Sequence, residues 1–248
     1  MLSSLIALAA LSGAAVPPAP EADAAATADM APAISVLQDE EPKDTWTGSV
    51  SIGAMVADGN TDLRNASATA GAQYRREKDR TTLGFSWNYS QQKNSAGDFE
   101  ITQRNTAANA QYDYFLNDKT YLLGQASAEN DFQADLDLRT TIGVGVGHQF
   151  REDDELKLNA ELGLSWFDED FGSSEDDNYL AARAAYNVDW TVNEQVKLLQ
   201  TGVVFPSVEE SDDGYAKLDT RARVTLTEKM FAQLQWIFDW DNTPADGV

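Results

Sequence analysis

Residues 156–166 read LKLNAELGLSW. Leu156, Leu158, Ala160, Leu162, Leu164 and Trp166 take one parity, and Lys157, Asn159, Glu161, Gly163 and Ser165 take the other. This is strict period-two alternation, the pattern of a strand with one apolar and one polar face. Its span is about twice the ~5–6 residues of an average soluble strand. It matches the ~9–11 tilted residues that a β-strand needs to cross a bilayer. The polar parity carries a Lys and a Glu, so that face must meet water or a polar lumen, while the apolar parity ends on an aromatic.

The same unit recurs along the chain. Alternating stretches are expected at about 46–57, 63–77, 81–93, 100–115, 120–133, 137–150, 155–166, 178–190, 195–206, 214–227 and 229–241. In the stretch at 137–150, Leu138, Ile142, Val144, Val146 and Phe150 oppose Arg139, Thr141, Gly143, Gly145, Gly147 and Gln149. Every second strand begins near 46, 81, 120, 155, 195 and 229, a hairpin repeat of roughly 34–40 residues. Connections alternate as well. Short charged turns such as KDR (78–80) and NDK (117–119) alternate with longer segments rich in Gly, Asp and Glu, such as DGNTD (58–62) and NSAGD (94–98). Short turns on one side and longer loops on the other are the signature of an outer-membrane barrel, with the short turns periplasmic.

The expected fold is therefore all-β, a transmembrane antiparallel up-and-down β-barrel. Eleven strands are legible, and single-chain bacterial barrels have even strand counts. A twelfth strand, following the external segment DNTPADGV (241–248), is expected to be missing from this chain. A soluble antiparallel barrel is the competing architecture. It would place apolar groups inside, whereas the second face here carries Arg139, Lys157, Glu161, Arg183, Arg221 and Arg223.

Composition narrows the function. The net charge of the 248 residues is −23, which argues against a nucleic-acid partner, since phosphate binding needs a basic patch. Mean hydropathy is −0.42, and beyond the N-terminal segment no apolar run reaches the ~18 residues of a membrane helix. There are no cysteines, so neither a disulfide framework nor a thiolate metal site exists. Residues 2–16, LSSLIALAALSGAAV, read as the core of a signal peptide occupying about 1–25, without the usual basic start. The Pro- and Ala-rich residues 26–44 read as a disordered leader, and 45–248 as the barrel. The acidic runs 39–44, 168–177 and 209–213 are expected to be solvated loops, and none has the spacing of a calcium-binding hand.

The chain resembles the family of uncharacterised β-barrels known as salt-induced outer-membrane proteins, a domain of unknown function. The residues that carry the resemblance are Trp46, Gly48, Gly59, Asn60 and Thr61 near the start and Trp236, Trp240, Asp241 and Pro244 near the end. It implies an outer-membrane location and a response to salt or osmotic stress, and it supplies no catalytic residue.

No enzymatic constellation emerges. The single histidine, His148, lies on the outward parity with no serine beside it. Asp176, Asp177, Asp212 and Asp213 supply carboxylates for an outer-membrane protease only as parts of acidic loops. The GVGVG of 143–147 falls within a strand, so it is not a phosphate loop. No enzymatic activity and no cofactor are expected. Function then rests on the inward face, whose expected lumen-lining residues are Asp113, Glu129, Arg139, Lys157, Glu161, Arg183, Asp189, Lys217, Asp219, Arg221 and Arg223, together with Arg104 or a neighbour. Such a lining suits either a narrow pore for ions or small solutes, or a salt-bridge network that fills the lumen and only stabilises the wall. The remaining expected partners are outer-membrane lipid and lipopolysaccharide and the barrel-assembly machinery.

Overall fold

A computed structural model describes residues 3–8, 44–58, 62–172, 176–208, 214–227 and 230–241. Its strands are β1 (Ser3–Leu8), β2 (Thr45–Ala57), β3 (Leu63–Arg75), β4 (Asp79–Lys93), β5 (Phe99–Phe115), β6 (Thr120–Asp131), β7 (Leu136–Glu152), β8 (Leu156–Phe171), β9 (Asp177–Thr191), β10 (Val196–Pro206), β11 (Gly214–Thr227) and β12 (Met230–Asp241). From β2 to β12 each strand pairs antiparallel with the next, the up-and-down order that the alternation predicts. All eleven expected strands are present.

One strand lies where none was expected. Ser3–Leu8, inside the segment read as a signal peptide, pairs antiparallel with the outer edge of β12, Ser3 opposite Phe238 and Leu8 opposite Gln233. The sheet therefore ends on β1 and β2, and no pairing among the described residues joins the two. The expected leader up to residue 43, the turn residues Gly59, Asn60 and Thr61, and the segment from 242 lie outside the described residues.

The short turns share one local device. Asn117 Oδ1 accepts the amides of Lys119 (3.0 Å) and Thr120 (2.9 Å). Asp153 Oδ1 accepts those of Glu155 (3.1 Å) and Leu156 (2.8 Å). Asn193 Oδ1 accepts those of Gln195 (2.9 Å) and Val196 (3.0 Å). A short Asx side chain mimics the backbone acceptor of a turn, so one residue reverses the strand without a long loop. At Asp153 the hydrogen bond from Arg151, joined by these amides, holds the carboxyl below its ordinary range.

Burial separates the two faces. Along β7, Leu138, Ile142, Val144, Val146, His148 and Phe150 are exposed, while Thr141, Gly143, Gly147 and Gln149 are buried. Along β8, Leu162, Leu164 and Trp166 are exposed, while Glu161, Ser165, Phe167 and Glu169 are buried. Ile142 is 59% and Val144 64% exposed, whereas Glu161 is 3% and Asp113 0% exposed. A water-soluble protein does the reverse, because burying a charge without need is costly. Aromatics flank the exposed apolar band: Trp46, Tyr112, Tyr114, Phe150 and Trp190 towards the short turns, Trp166 and Trp240 towards the other rim. From Leu138 to Phe150 is twelve steps. At ~3.3 Å per residue and a tilt of about 40°, that band is roughly 30 Å tall, close to the ~25 Å expected of a lipid-facing belt.

Two boundaries differ from expectation. The run 168–177 is not wholly loop, because β8 continues to Phe171 and buries Glu169 against the inner face. Turn KDR is shorter than its charges suggest, since Asp79 and Arg80 already belong to β4. Charge misleads here because a solvated loop and a paired inner wall draw on the same residues.

The inside-out burial predicts a lipid-specific penalty. Val144→Arg should lower stability in lipid vesicles by about 2–4 kcal/mol, the cost of a cation at the bilayer midplane. Urea titration of vesicle-inserted protein checks it. An exposed position on a water-facing sheet would tolerate the same change within about 0.5 kcal/mol.

Candidate functional site: the inner face

The inner face is built from glycine gaps as much as from charges. In the register, Tyr121 of β6, Gly147 of β7 and Glu161 of β8 stand in one row. A Cβ on Gly147 would collide with the Tyr121 ring. Glycine thus leaves room for the ring to lie across β7, and the Tyr121 hydroxyl donates to Glu161 Oε1 at 2.7 Å. Two rows along on the same face, Gln125 reaches over Gly143 towards Ser165, with its Nε2 3.4 Å from Ser165 Oγ. These are the glycines of the GVGVG stretch, and they act as saddles for side chains that bridge alternate strands.

The eleven expected lumen residues all lie on the inward parity, and charge partners organise them into clusters. Glu161 Oε1 also accepts Gln111 Nε2 of β5 at 3.1 Å, and its Oε2 accepts Arg183 Nη1 of β9 at 2.8 Å. On β7, Arg139 stands between Glu129 and Glu169, its direct neighbours in the two flanking strands, at 2.8 and 2.6 Å. Tyr179 adds its hydroxyl to Glu169 at 3.1 Å. Asp113 binds Arg80 at 2.7 Å and Gln111 Nε2 at 2.9 Å. Asp189 faces Lys157 across the β8–β9 register and binds Lys197 at 3.1 Å. On β11, Asp219 pairs with Arg221 and accepts Gln235 Nε2 at 3.1 Å, Lys217 is buried, and Arg223 Nη2 donates to Gln233 at 2.9 Å.

Of Arg104 and its neighbours, Arg104 is exposed, its guanidinium 4.7 Å from the Phe132 ring, and the buried residue is Asn105. Among the inner charges that escaped the sequence reading are Arg75, Arg80, Asp131, Glu169 and Lys197. Arg80 and Glu169 lay in stretches read as turn and loop, and Lys197 at the start of the stretch 195–206. Carrying the odd parity of β8 past Ser165 would have reached Phe167 and Glu169.

The inner face is not uniformly polar. Phe115, Tyr121 and Leu123 form a small buried cluster near the short-turn rim, where the Arg75 guanidinium stacks 3.6 Å from the Phe115 ring. Nearer the other rim, Phe167 stacks on Tyr179 at 4.9 Å and meets Phe205 edge-on at 5.1 Å; Phe205 stacks on Tyr215 at 6.1 Å. Between the clusters lies a cavity of about 180 Å³ bounded by Gln111, Gln125, Arg139, Arg183, Phe205 and Lys217, among others.

His148 sits on the outer face, its Nδ1 3.0 Å from Thr120 Oγ1 and its ring edge-on to Phe150 at 5.0 Å. No serine lies within this contact set. Asp176 and Asp177 are exposed at the β8–β9 connection, while Asp212 and Asp213 lie outside the described residues. Among the described residues, no group of three His, Cys, Asp or Glu side chains converges to hold a metal ion.

An antiparallel up-and-down sheet with its charges buried inside and its apolar side chains outside is a barrel-wall protein. The chain belongs to the family described as "Protein of unknown function, DUF481", whose profile matches residues 50–248. Comparison with curated proteins finds no match. Among solved structures, the chain is similar to the translocator domain of the autotransporter NalP from Neisseria meningitidis, with 13% identity, TM-score 0.40, and coverage of 78% of this chain and 85% of that one. It is also similar to a bacterial polysaccharide outer-membrane secretin, with 10% identity, TM-score 0.36, and coverage of 81% and 86%. A third is the Ralstonia pickettii toluene transporter TbuX, with 10% identity, TM-score 0.29, and coverage of 79% and 77%.

The Arg139 triad yields a test. Arg139→Gln leaves the buried Glu169 and the half-buried Glu129 without their cation and should cost about 3 kcal/mol in urea titration. Adding Glu129→Gln and Glu169→Gln should recover most of that loss, because the uncompensated charge, not the absent bridge, is what destabilises.

Proposed function

We propose that the chain is an outer-membrane β-barrel whose lumen is filled by a paired side-chain network, so that it acts as a closed wall protein and not as an open channel. The observation that carries the reading is the inverted burial: Glu161, Asp113, Glu169 and Asp219 are buried and partnered within, while Ile142, Val144, Leu162 and Leu164 are exposed without. In water such an outer face would be a large aggregation-prone patch. In lipid it is the favourable surface, and the antiparallel pairing from β2 to β12 satisfies the backbone between neighbouring strands. Its proposed partners follow from that face: outer-membrane lipid and lipopolysaccharide around the belt, and the barrel-assembly machinery during insertion.

A filled lumen is supported by the way bridges span it. Gln111 on β5 reaches Glu161 on β8, three strands away, and Arg139 on β7 joins Glu129 on β6 to Glu169 on β8. One observation favours a second reading, a narrow polar pore. The inner residues of β2, Ser49, Ser51 and Gly53, are small and exposed, so the network does not extend over that sector. The salt or osmotic response implied by the resemblance is a separate proposal, tested by protein abundance after salt upshift. A hydrolase is the remotest reading, and release of fatty acid from phospholipid in detergent would support it.

Planar-bilayer recording of the refolded protein decides between wall and pore. The wall reading expects no discrete channel events at neutral pH. Steady events whose ion selectivity shifts on replacing Arg221 and Arg223 by Gln would establish the pore instead.

A further inference from the structure

Two arginines break the rule that charges lie within. Arg80, Arg139, Arg183 and Arg221 stand on the inner face, each paired with a carboxylate. Arg64 on β3 and Arg104 on β5 share the parity of the apolar band instead. Arg104 opposes Tyr89 of β4, Tyr89 opposes Ala66, and Arg64 lies two residues on, opposite Gln91. Both arginines are exposed, and among the described residues their guanidiniums meet rings and no carboxylate. Arg64 lies 4.0 Å from the centre of the Phe99 ring, and Arg104 4.7 Å from that of Phe132. A ring holds a guanidinium through its quadrupole. It leaves the N–H groups available for the two-pronged grip that suits a phosphate.

Their height fixes where a ligand would come from. Asn105 opposes Asp131 and Asp131 opposes Leu136, so Arg104 lies at the long-loop end of the apolar band. Long loops face the cell exterior, which makes this border the headgroup level of the outer leaflet. At ~4.8 Å per strand and ~3.3 Å per residue, the two arginine Cα atoms are roughly 12 Å apart, within reach of one headgroup.

The wall below them is grooved. Tyr89, Trp87, Phe85 and Leu83 form a ridge along the outer face of β4, with Trp87 stacked on Tyr89 at 6.2 Å. On one side, below Arg64, β3 presents Ala66, Ala68, Ala70 and Ala72; across it, β2 presents Ile52 and Val50. On the other side, below Arg104, Ala108 and Ala110 of β5 face Ala128 and Ala126 of β6. Each arginine therefore heads a shallow apolar channel wide enough for an extended hydrocarbon chain.

The local acids leave the arginines unmatched. Near Arg64, Asp58, Asp62, Asp98 and Glu100 lie in the connections or at strand ends. Of these, Asp62 binds Lys93 at 2.8 Å, and Glu100 accepts Asn94 Nδ2 at 2.6 Å. On the β6 side Asp131 is buried inward, and Asp135 and Asp137 lie around the β6–β7 connection. These acids and the net charge of −23 repel an anion approaching from solution. A phosphate carried on a lipid arrives within the leaflet instead, with its chains already against the apolar wall.

We propose that the outer face of β3–β6 binds a phosphorylated glycolipid of the outer leaflet, its phosphates on Arg64 and Arg104 and its acyl chains in the alanine channels beside the β4 ridge. The proposal rests on the lipid-facing wall argued above and gives that wall one specific lipid site.

Native mass spectrometry of the full chain refolded in zwitterionic detergent, titrated with diphosphorylated lipid A, tests it. A one-to-one adduct is expected, about tenfold tighter than with dephosphorylated lipid A. Arg64→Gln and Arg104→Gln should each weaken the phosphorylated form about fivefold and leave the dephosphorylated form unchanged. Ala68→Phe with Ala108→Phe fills both channels and should weaken the two forms alike. Equal affinity for the two forms, unchanged affinity in both arginine variants, or displacement by equimolar inorganic phosphate would each overturn the site. Protease protection in phosphatidylcholine vesicles separates the two levels of failure. A chain that inserts but takes up no lipid A overturns this site alone, whereas a chain that does not insert overturns the wall reading and the site together.

Discussion

The carboxylate of Glu161 is the point on which the inner structure turns. It sits on β8 almost fully buried and takes hydrogen bonds from Gln111 on β5, Tyr121 on β6 and Arg183 on β9. A buried carboxylate is tolerated only when its lone pairs are satisfied and its charge is matched. Meeting that demand requires four strands to hold their register at once. A one-residue slip would move each donor to the outer face. The pairing of β5 to β9 is thereby over-determined by a single group, beyond what the backbone ladder imposes.

Glycine makes this possible. Tyr121 can cross β7 only because Gly147 has no Cβ, and Gln125 crosses at Gly143 in the same way. Glycine weakens a strand interior by leaving nothing to pack, yet here the vacated space is taken by the neighbour's side chain. Network and glycine positions are one feature: the saddles let polar side chains link alternate strands across the inner face. The outer face follows a simpler rule. Its Val, Leu and Ile side chains need no partner beyond an apolar solvent.

Much of this was legible in the chain. Strict alternation placed Leu162, Leu164 and Trp166 outside and Lys157 and Glu161 inside, because the strand period is two and one parity cannot share both faces. The eleven lumen candidates fall on the inward parity for that reason. Less legible was the end of each strand. Asp168, Glu169 and Asp170 look like a solvated run, but alternation places Glu169 inward between its two exposed aspartates. Between Arg104 and its neighbour, charge favoured Arg104 for the inner position, whereas parity placed Asn105 there. Where composition and parity disagreed, parity was right.

The sequence by itself determined the class of the fold, the number of wall strands legible from Trp46 onward and the face on which each side chain stands. These depend on periodicity, a property of neighbours along the chain. Only the tertiary structure decided which charges meet. Glu161 could have paired with Lys157 on its own strand; it meets Arg183, Tyr121 and Gln111 because strand register and glycine gaps bring them within hydrogen-bond reach. The same holds for the cavity, whose aromatic wall is drawn from β8, β10 and β11. Contacts between residues tens of positions apart depend on stagger and curvature, which no local pattern encodes.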